Sequence, residues 1–166
     1  MDFEHLYRAT YPTVRAYARS MTSSEADADD AIADTYLTAW RRQADIPRGA
    51  ELGWLIGVTR RTLANARRSE RRVGALRSLL GVQPRAEAPD PAELIEDAEL
   101  RAALLQLAPL DREAMVLTAW FDLSGADAAH ALGITHAAYR MRMTRARRRL
   151  RAALNTPSTV ENPQWT

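Results

Sequence analysis

Apolar residues recur at intervals of three and four along most of this chain, and nowhere do β-branched residues alternate with polar ones over a useful length. That periodicity confines the chain to helices. Its clearest instance is residues 137–154, AAYRMRMTRARRRLRAAL, where Tyr139, Met143, Ala146, Leu150 and Ala153 follow a four-three-four-three spacing and line one side of a helix. At about 100° per residue, Arg140, Met141, Thr144, Arg145 and Arg148 fall on the opposite side. Seven of these eighteen residues are arginine, and residues 140–154 contain no Asp or Glu. A solvated helix face usually mixes signs, because acid–base pairs one turn apart support it and limit self-repulsion. A face of one sign points to an anionic partner.

The net charge of +2 conceals this pattern. Eight arginines stand against two acids in residues 46–77, and seven against one in 140–166, while residues 1–45 and 78–139 are both net acidic. The chain has no lysine at all. An all-arginine basic block suits phosphate and base-edge recognition, because the guanidinium offers a planar fork of donors.

A length of 166 residues with 46% apolar content allows one ordinary domain or two small ones. The absence of cysteine rules out a disulfide framework and a thiolate metal site, and His5, His130 and His136 lack metal-binding spacing. No cofactor is expected. No apolar run reaches eighteen residues and the acidic start MDFEHLYRAT lacks the layout of a secretory signal, so a cytoplasmic chain without a membrane segment is expected.

Helical spacing runs through Phe3, Leu6, Tyr7, Tyr11, Val14, Tyr17, Ala18 and Met21, after which Ser24 and Asp27 make a capping-box-like start to a second helix. On that helix Asp30, Asp34, Leu37 and Arg41 line up on one side, opposite the core-facing Ala28, Ala31, Ile32, Thr35, Tyr36 and Ala39. A leucine set outward between acids and an arginine suggests a protein-binding patch. As an acid–base pair Asp30 and Asp34 lack any nucleophile, phosphate loop or metal ligand set nearby, and no enzymatic role is expected.

Pro47 and Gly49 end the second helix, and a third is expected from about Ala50 to Arg72. Leu55, Thr59, Thr62 and Ala66 mark its core side; Trp54, Arg60, Arg61, Asn65, Arg67, Arg68, Arg71 and Arg72 cover the other. An exposed aromatic among arginines and an asparagine is a mixture that stacks on unpaired bases while holding phosphates. Periodicity then lapses over residues 73–98, which carry prolines and many acids and read as a flexible linker. Helical spacing resumes at Leu100, Leu104 and Leu107, breaks at Pro109, and continues through Trp120. The last stretch, 155–166, reads as a disordered tail.

Within residues 123–147 Ser124 can cap a short helix, Leu132, Gly133 and Ile134 form a tight turn, and the arginine-rich helix follows. Such a helix-turn-helix presents its second helix to the major groove. The residues alone leave open a stand-alone DNA-binding regulator or a helical adaptor that binds only proteins.

The order of these parts resembles the extracytoplasmic-function sigma factors of bacterial RNA polymerase, members of the sigma-70 family. ADADDAIADTYLTAWRR is similar to the family's core-binding helix, AELGWLIGVTRRTLANARRSERR to its −10 helix, and LAPLDREAMVLTAWFDLSGADAAHALGITHAAYRMRMTRARRRL to its −35 helix-turn-helix. The resemblance implies an all-α chain of two small helical domains joined by a flexible linker. A sigma2-like bundle would span 1–72, the linker 73–98 and a sigma4-like helix-turn-helix domain 99–154. It implies a non-enzymatic initiation subunit whose partners are core RNA polymerase, promoter DNA and an anti-sigma factor. Asp30, Asp34, Leu37 and Arg41 match the surface that docks on core polymerase. Arg48, in its loop with Pro47, Gly49 and Ala50, matches a pocket for a base flipped from the −10 strand. Arg61, Asn65 and Arg68 match the −10 contacts and Arg140, Met141, Thr144 and Arg145 the −35 readers. Tyr139 and Ala138 depart from the family, which more often has a small branched aliphatic and a threonine there, and GADAAHALG is poorer in large apolar residues than usual; together these departures imply looser packing of the second domain.

Overall fold

The structure, a computed structural model, describes residues 2–78 and 90–155. Seven α-helices and two short 3-10 turns account for its regular structure, with no strand among the described residues. Helix α1 (Phe3–Ser20) starts where the Asp2 carboxylate accepts from the Glu4 amide, and α2 (Glu25–Arg41) where the Ser24 hydroxyl accepts from the Asp27 amide. A 3-10 turn, Gln43–Asp45, leads into a loop in which Gly49 takes a left-handed φ of +78°. Each cap satisfies backbone donors that the first helical turn leaves free.

Helix α3 (Glu51–Ser78) runs past the expected stop at Arg72. The first proline beyond Arg72 is Pro84, so nothing in the sequence breaks the helix at 72. The expected linker is also shorter at its other end. A 3-10 turn at Pro91–Leu94 is held by a capping box, Asp90 accepting from the Ala92 amide and Glu93 accepting from the Asp90 amide. Ala92 and Ile95 are buried, and Arg112 ties Asp90 to the next helices at 2.6 Å. Asp90 and Glu93, which read as linker composition, are therefore the two sides of a capping box, and Asp90 is also an ion-pair partner. The expected tail, from residue 156 onward, lies outside the described residues, as do 79–89 of the expected linker.

Helix α4 (Ala98–Leu105) is capped by Asp97, and α5 (Pro109–Ala119) begins at the proline that interrupts the periodicity. Helix α6 (Gly125–Leu132) is capped by Ser124 and ends at Gly133, whose φ of +66° only glycine adopts without strain. Helix α7 (His136–Asn155) carries the arginine-rich face. Tyr139 fits closely: it is buried, its hydroxyl shares a hydrogen bond with Thr118 at 2.7 Å, and its ring lies over Gly125. At this one position the larger ring fills space.

The two halves share one core. Leu6, Val14, Tyr17, Leu55 and Ile56 from α1 and α3 belong to the same buried cluster as Leu117, Leu123, Ala128, Leu132, Tyr139 and Met143. A smaller cluster of Ala92, Ile95, Leu104, Leu107, Val116 and Ala146 fills the second half alone.

Candidate nucleic-acid interface

The outward face of α7 is intact. Arg140, Met141, Thr144 and Arg145 are all exposed, Met141 to 64%. Among the described residues no ion pair is recorded for either arginine. The helix is set in place from its other side. The Asp111 carboxylate on α5, 5% exposed, accepts from Arg142 at 2.8 Å and lies 4.0 Å from Arg149. Two arginines thus support the helix and leave the others free for a polyanion. Gly133 sets the turn between α6 and α7, giving the arrangement in which a second helix projects into a groove.

On α3, Arg61, Asn65 and Arg68 are exposed and lie along one side, with Arg68 donating to the Asn65 amide oxygen. Arg48 is exposed in the loop before α3. Three residues of the expected basic face behave differently. Trp54 is half-buried and packs against the shared core, because α3 has neighbours on several sides: α1, α2 and α6. Arg67 turns inward and donates to the Met21 carbonyl oxygen, and this burial lowers its pKa. Arg60 makes a two-pronged ion pair with Glu113 of α5, Nε to Oε1 at 2.6 Å and Nη2 to Oε2 at 2.9 Å. That hydrogen bonding raises the arginine's pKa further, and the buried Tyr17 hydroxyl also reaches Glu113 at 3.5 Å.

On α2, Asp30, Asp34, Leu37 and Arg41 are exposed on one side, Leu37 to 45%. Trp40, 58% exposed and edge-on to Phe3 with centroids 5.0 Å apart, extends the apolar part of that surface. Sequence reading passed over Trp40. It also missed the contact between Gly53 and Asp127, for which two glycines four residues apart on one helix were the available signal.

Residues 6–73 match the family described as Sigma-70 region 2, and residues 97–150 match Sigma-70, region 4. The chain is 32% identical over 152 residues to the ECF RNA polymerase sigma factor EcfG of Rhodopseudomonas palustris, covering 88% of this chain and 81% of that one. The chain belongs to the ECF sigma factors of the sigma-70 family. It is likewise 33% identical over 153 residues to the sigma factor CnrH of Cupriavidus metallidurans, covering 85% of this chain and 80% of the relative. Among solved structures, the sigma factor RpoE in complex with the anti-sigma factor NepR from Bartonella quintana is 28% identical. Its TM-score is 0.62, with 94% of this chain and 98% of that chain covered. CnrH in complex with the cytosolic domain of CnrY is also 28% identical, with a TM-score of 0.57 and coverage of 94% and 89%.

As an ECF sigma factor the chain directs promoter recognition by RNA polymerase, and its partners are the polymerase and DNA. Its family is non-enzymatic. No helix of the described residues is long and apolar enough to cross a membrane.

Proposed function

We propose a division of labour within this sigma factor at the level of individual residues. Asp30, Asp34, Leu37 and Arg41 dock on the clamp helices of the polymerase largest subunit. Arg48 closes over a base flipped from the −10 strand, which is recognised once it leaves the stack. Arg61, Asn65 and Arg68 hold the melting −10 element, while Arg140, Met141, Thr144 and Arg145 read the −35 element through the major groove. The first half thus serves core and −10 binding and the second −35 binding. The observation that carries this reading is the acid-free, exposed face of α7, whose two neighbouring arginines are already engaged by a buried aspartate.

An anti-sigma partner is supported by the relatives RpoE and CnrH, both solved in complexes, RpoE with an anti-sigma factor. A cytoplasmic location accords with work on the polymerase. The testing experiment is transcription in vitro: the chain is added to sigma-free core polymerase on a library of promoter-length fragments from its host, and transcript ends are sequenced. Start sites that depend on the chain, share −10 and −35 motifs, and vanish when Asp34 and Leu37 are changed to alanine are the expected result. Start sites indifferent to Asp34, Leu37, Arg61 and Arg140 would refute the residue assignments.

A further inference from the structure

Met141 is the most exposed of the large apolar side chains among the described residues, at 64%. The other methionines described sit differently. Met143, two residues on along the same helix, is 5% exposed, Met21 is 8% exposed and Met115 is half-buried. Side chains on a helix lean toward the turn before their own, and the residues one turn before Met141 are Ala137 and Ala138, too short to cover a thioether. One turn after it stand Thr144, whose hydroxyl donates to the Arg140 carbonyl at 3.0 Å, and the exposed Arg145. The thioether therefore stands in solvent in the middle of the acid-free face.

The chain has no cysteine, so methionine supplies its only sulfur. A peroxide oxidises a thioether in one two-electron step: a sulfur lone pair attacks one peroxide oxygen, the O–O bond breaks as the S–O bond forms, and the other oxygen leaves with both protons as water. Sulfur is oxidised, peroxide is reduced, and nothing else is consumed. The methionine sulfoxide formed is returned to the thioether by sulfoxide reductases, and while it lasts a flexible apolar side chain has become polar. At a reading position that change has a direct cost. A thioether packs on a thymine methyl, whereas a sulfoxide brings a strong acceptor to a group that offers it no donor. Met143 and Met21 are covered by the core they help to form, so the same oxidant reaches them more slowly.

We propose that Met141 is a reversible oxidation site through which a peroxide weakens −35 recognition by this sigma factor. This rests on Met141 belonging to the −35 readers assigned above. DNA in contact with that face covers the same side chain, so the free chain and the chain at a promoter differ in sensitivity. A sigma factor already seated is spared, and one still searching is disabled.

The wild-type chain is treated with hydrogen peroxide, quenched with catalase, digested at aromatic residues because trypsin would cut on both sides of Met141, and mapped by fragmentation mass spectrometry. Met141 is expected to take up oxygen ahead of Met143 and Met21; oxidation of Met143 first would overturn the proposal. The singly oxidised chain, assembled with core polymerase, is expected to bind a promoter fragment about ten-fold more weakly than the untreated chain. Little change is expected on a fragment whose −35 element is scrambled, and methionine sulfoxide reductases should restore the loss. In Met141→Leu, compared only with itself, the same treatment is expected to leave binding unmoved, and an equal loss there would place the damage elsewhere and overturn the site. Oxidation of wild-type holoenzyme already on promoter DNA separates the switch from the assignment beneath it. Slower uptake at Met141 on DNA, with unchanged binding by the sulfoxide, would leave the reader in place and reject the switch. Undiminished uptake on DNA would mean that Met141 lies outside the groove, and assignment and switch would fall together.

Discussion

Thr35 on α2 and Thr59 on α3 meet hydroxyl to hydroxyl at 2.9 Å with neither side chain exposed, and each also donates within its own helix, to Ala31 and Leu55 carbonyls at 2.7 and 3.0 Å. Two hydroxyl hydrogens serve three contacts, so the pair shares its bonding. Changing Thr59 alone to valine should cost about 1 kcal/mol by leaving Thr35 with a poorer partner. The double Thr35→Val, Thr59→Val variant should lose less than the sum of the singles, because no buried hydroxyl is then left over. Urea denaturation of the four proteins checks this, and strict additivity would contradict it.

Asp111 is the support under the −35 helix. Asp111→Ala leaves Arg142 facing a buried void without its counter-charge, and since Arg142 is 30% exposed at its side chain the loss should be about 2 kcal/mol, below that for a wholly buried pair. Thermal unfolding should drop by about 4–8 °C. Affinity for a −35 duplex should fall with it, although Asp111 is acidic and cannot itself attract phosphate.

Gly133→Ala places a Cβ at a φ of +66° where nothing crowds it, so the penalty is purely one of backbone conformation. A loss of about 1 kcal/mol is expected, measured by denaturant unfolding. A neutral outcome would mean that the turn between α6 and α7 relaxes.

Arg145 and Arg148 should separate base reading from phosphate holding. Arg145→Ala should cost about 1–3 kcal/mol on the preferred −35 sequence and relax the choice of base there. Arg148→Ala should weaken all duplexes alike and reduce the salt dependence of log K by about one unit of slope. Titrations of several sequences across a salt series distinguish the two.

Much of the fold was legible because helix starts are local chemistry: Ser24, Ser124 and Gly133 do what their residue types imply within three or four positions of themselves. The α7 face was legible for the same reason, being a matter of spacing along one helix. Trp54 was misjudged because a helical wheel sorts residues relative to one core side and α3 is packed on several. Arg60 and Glu113 lie 53 residues apart, and Gly53 and Asp127 74 apart. No periodicity links positions at that range, since their meeting depends on how one helical unit settles on another.

Alkaline pH gives a further expectation. Burial pushes the Tyr36 hydroxyl up to about 12, offset in part by its hydrogen bond with Thr10, and burial with the neighbouring Glu113 carboxylate pushes Tyr17 up as well. Both shifts favour the neutral phenol in the folded chain. Their stabilisation is present in full below the ordinary tyrosine range near pH 10 and is lost as pH climbs toward the folded values. Urea midpoints should therefore fall between pH 10 and 12, and less steeply in Tyr36→Phe.

The core that runs from Leu55 into Leu132 and Tyr139 also bears on how such a protein can change over time. Two regions that match separate family profiles would ordinarily be exchangeable between relatives as cassettes. Here a transplanted second half would have to bring a carboxylate opposite Arg60 and leave room beside Gly53, or it would arrive already sprung apart. A second half exchanged at the linker would carry its own exposed reading face across, but its fit against the first half would depend on these other positions, so preference and packing are inherited through different residues.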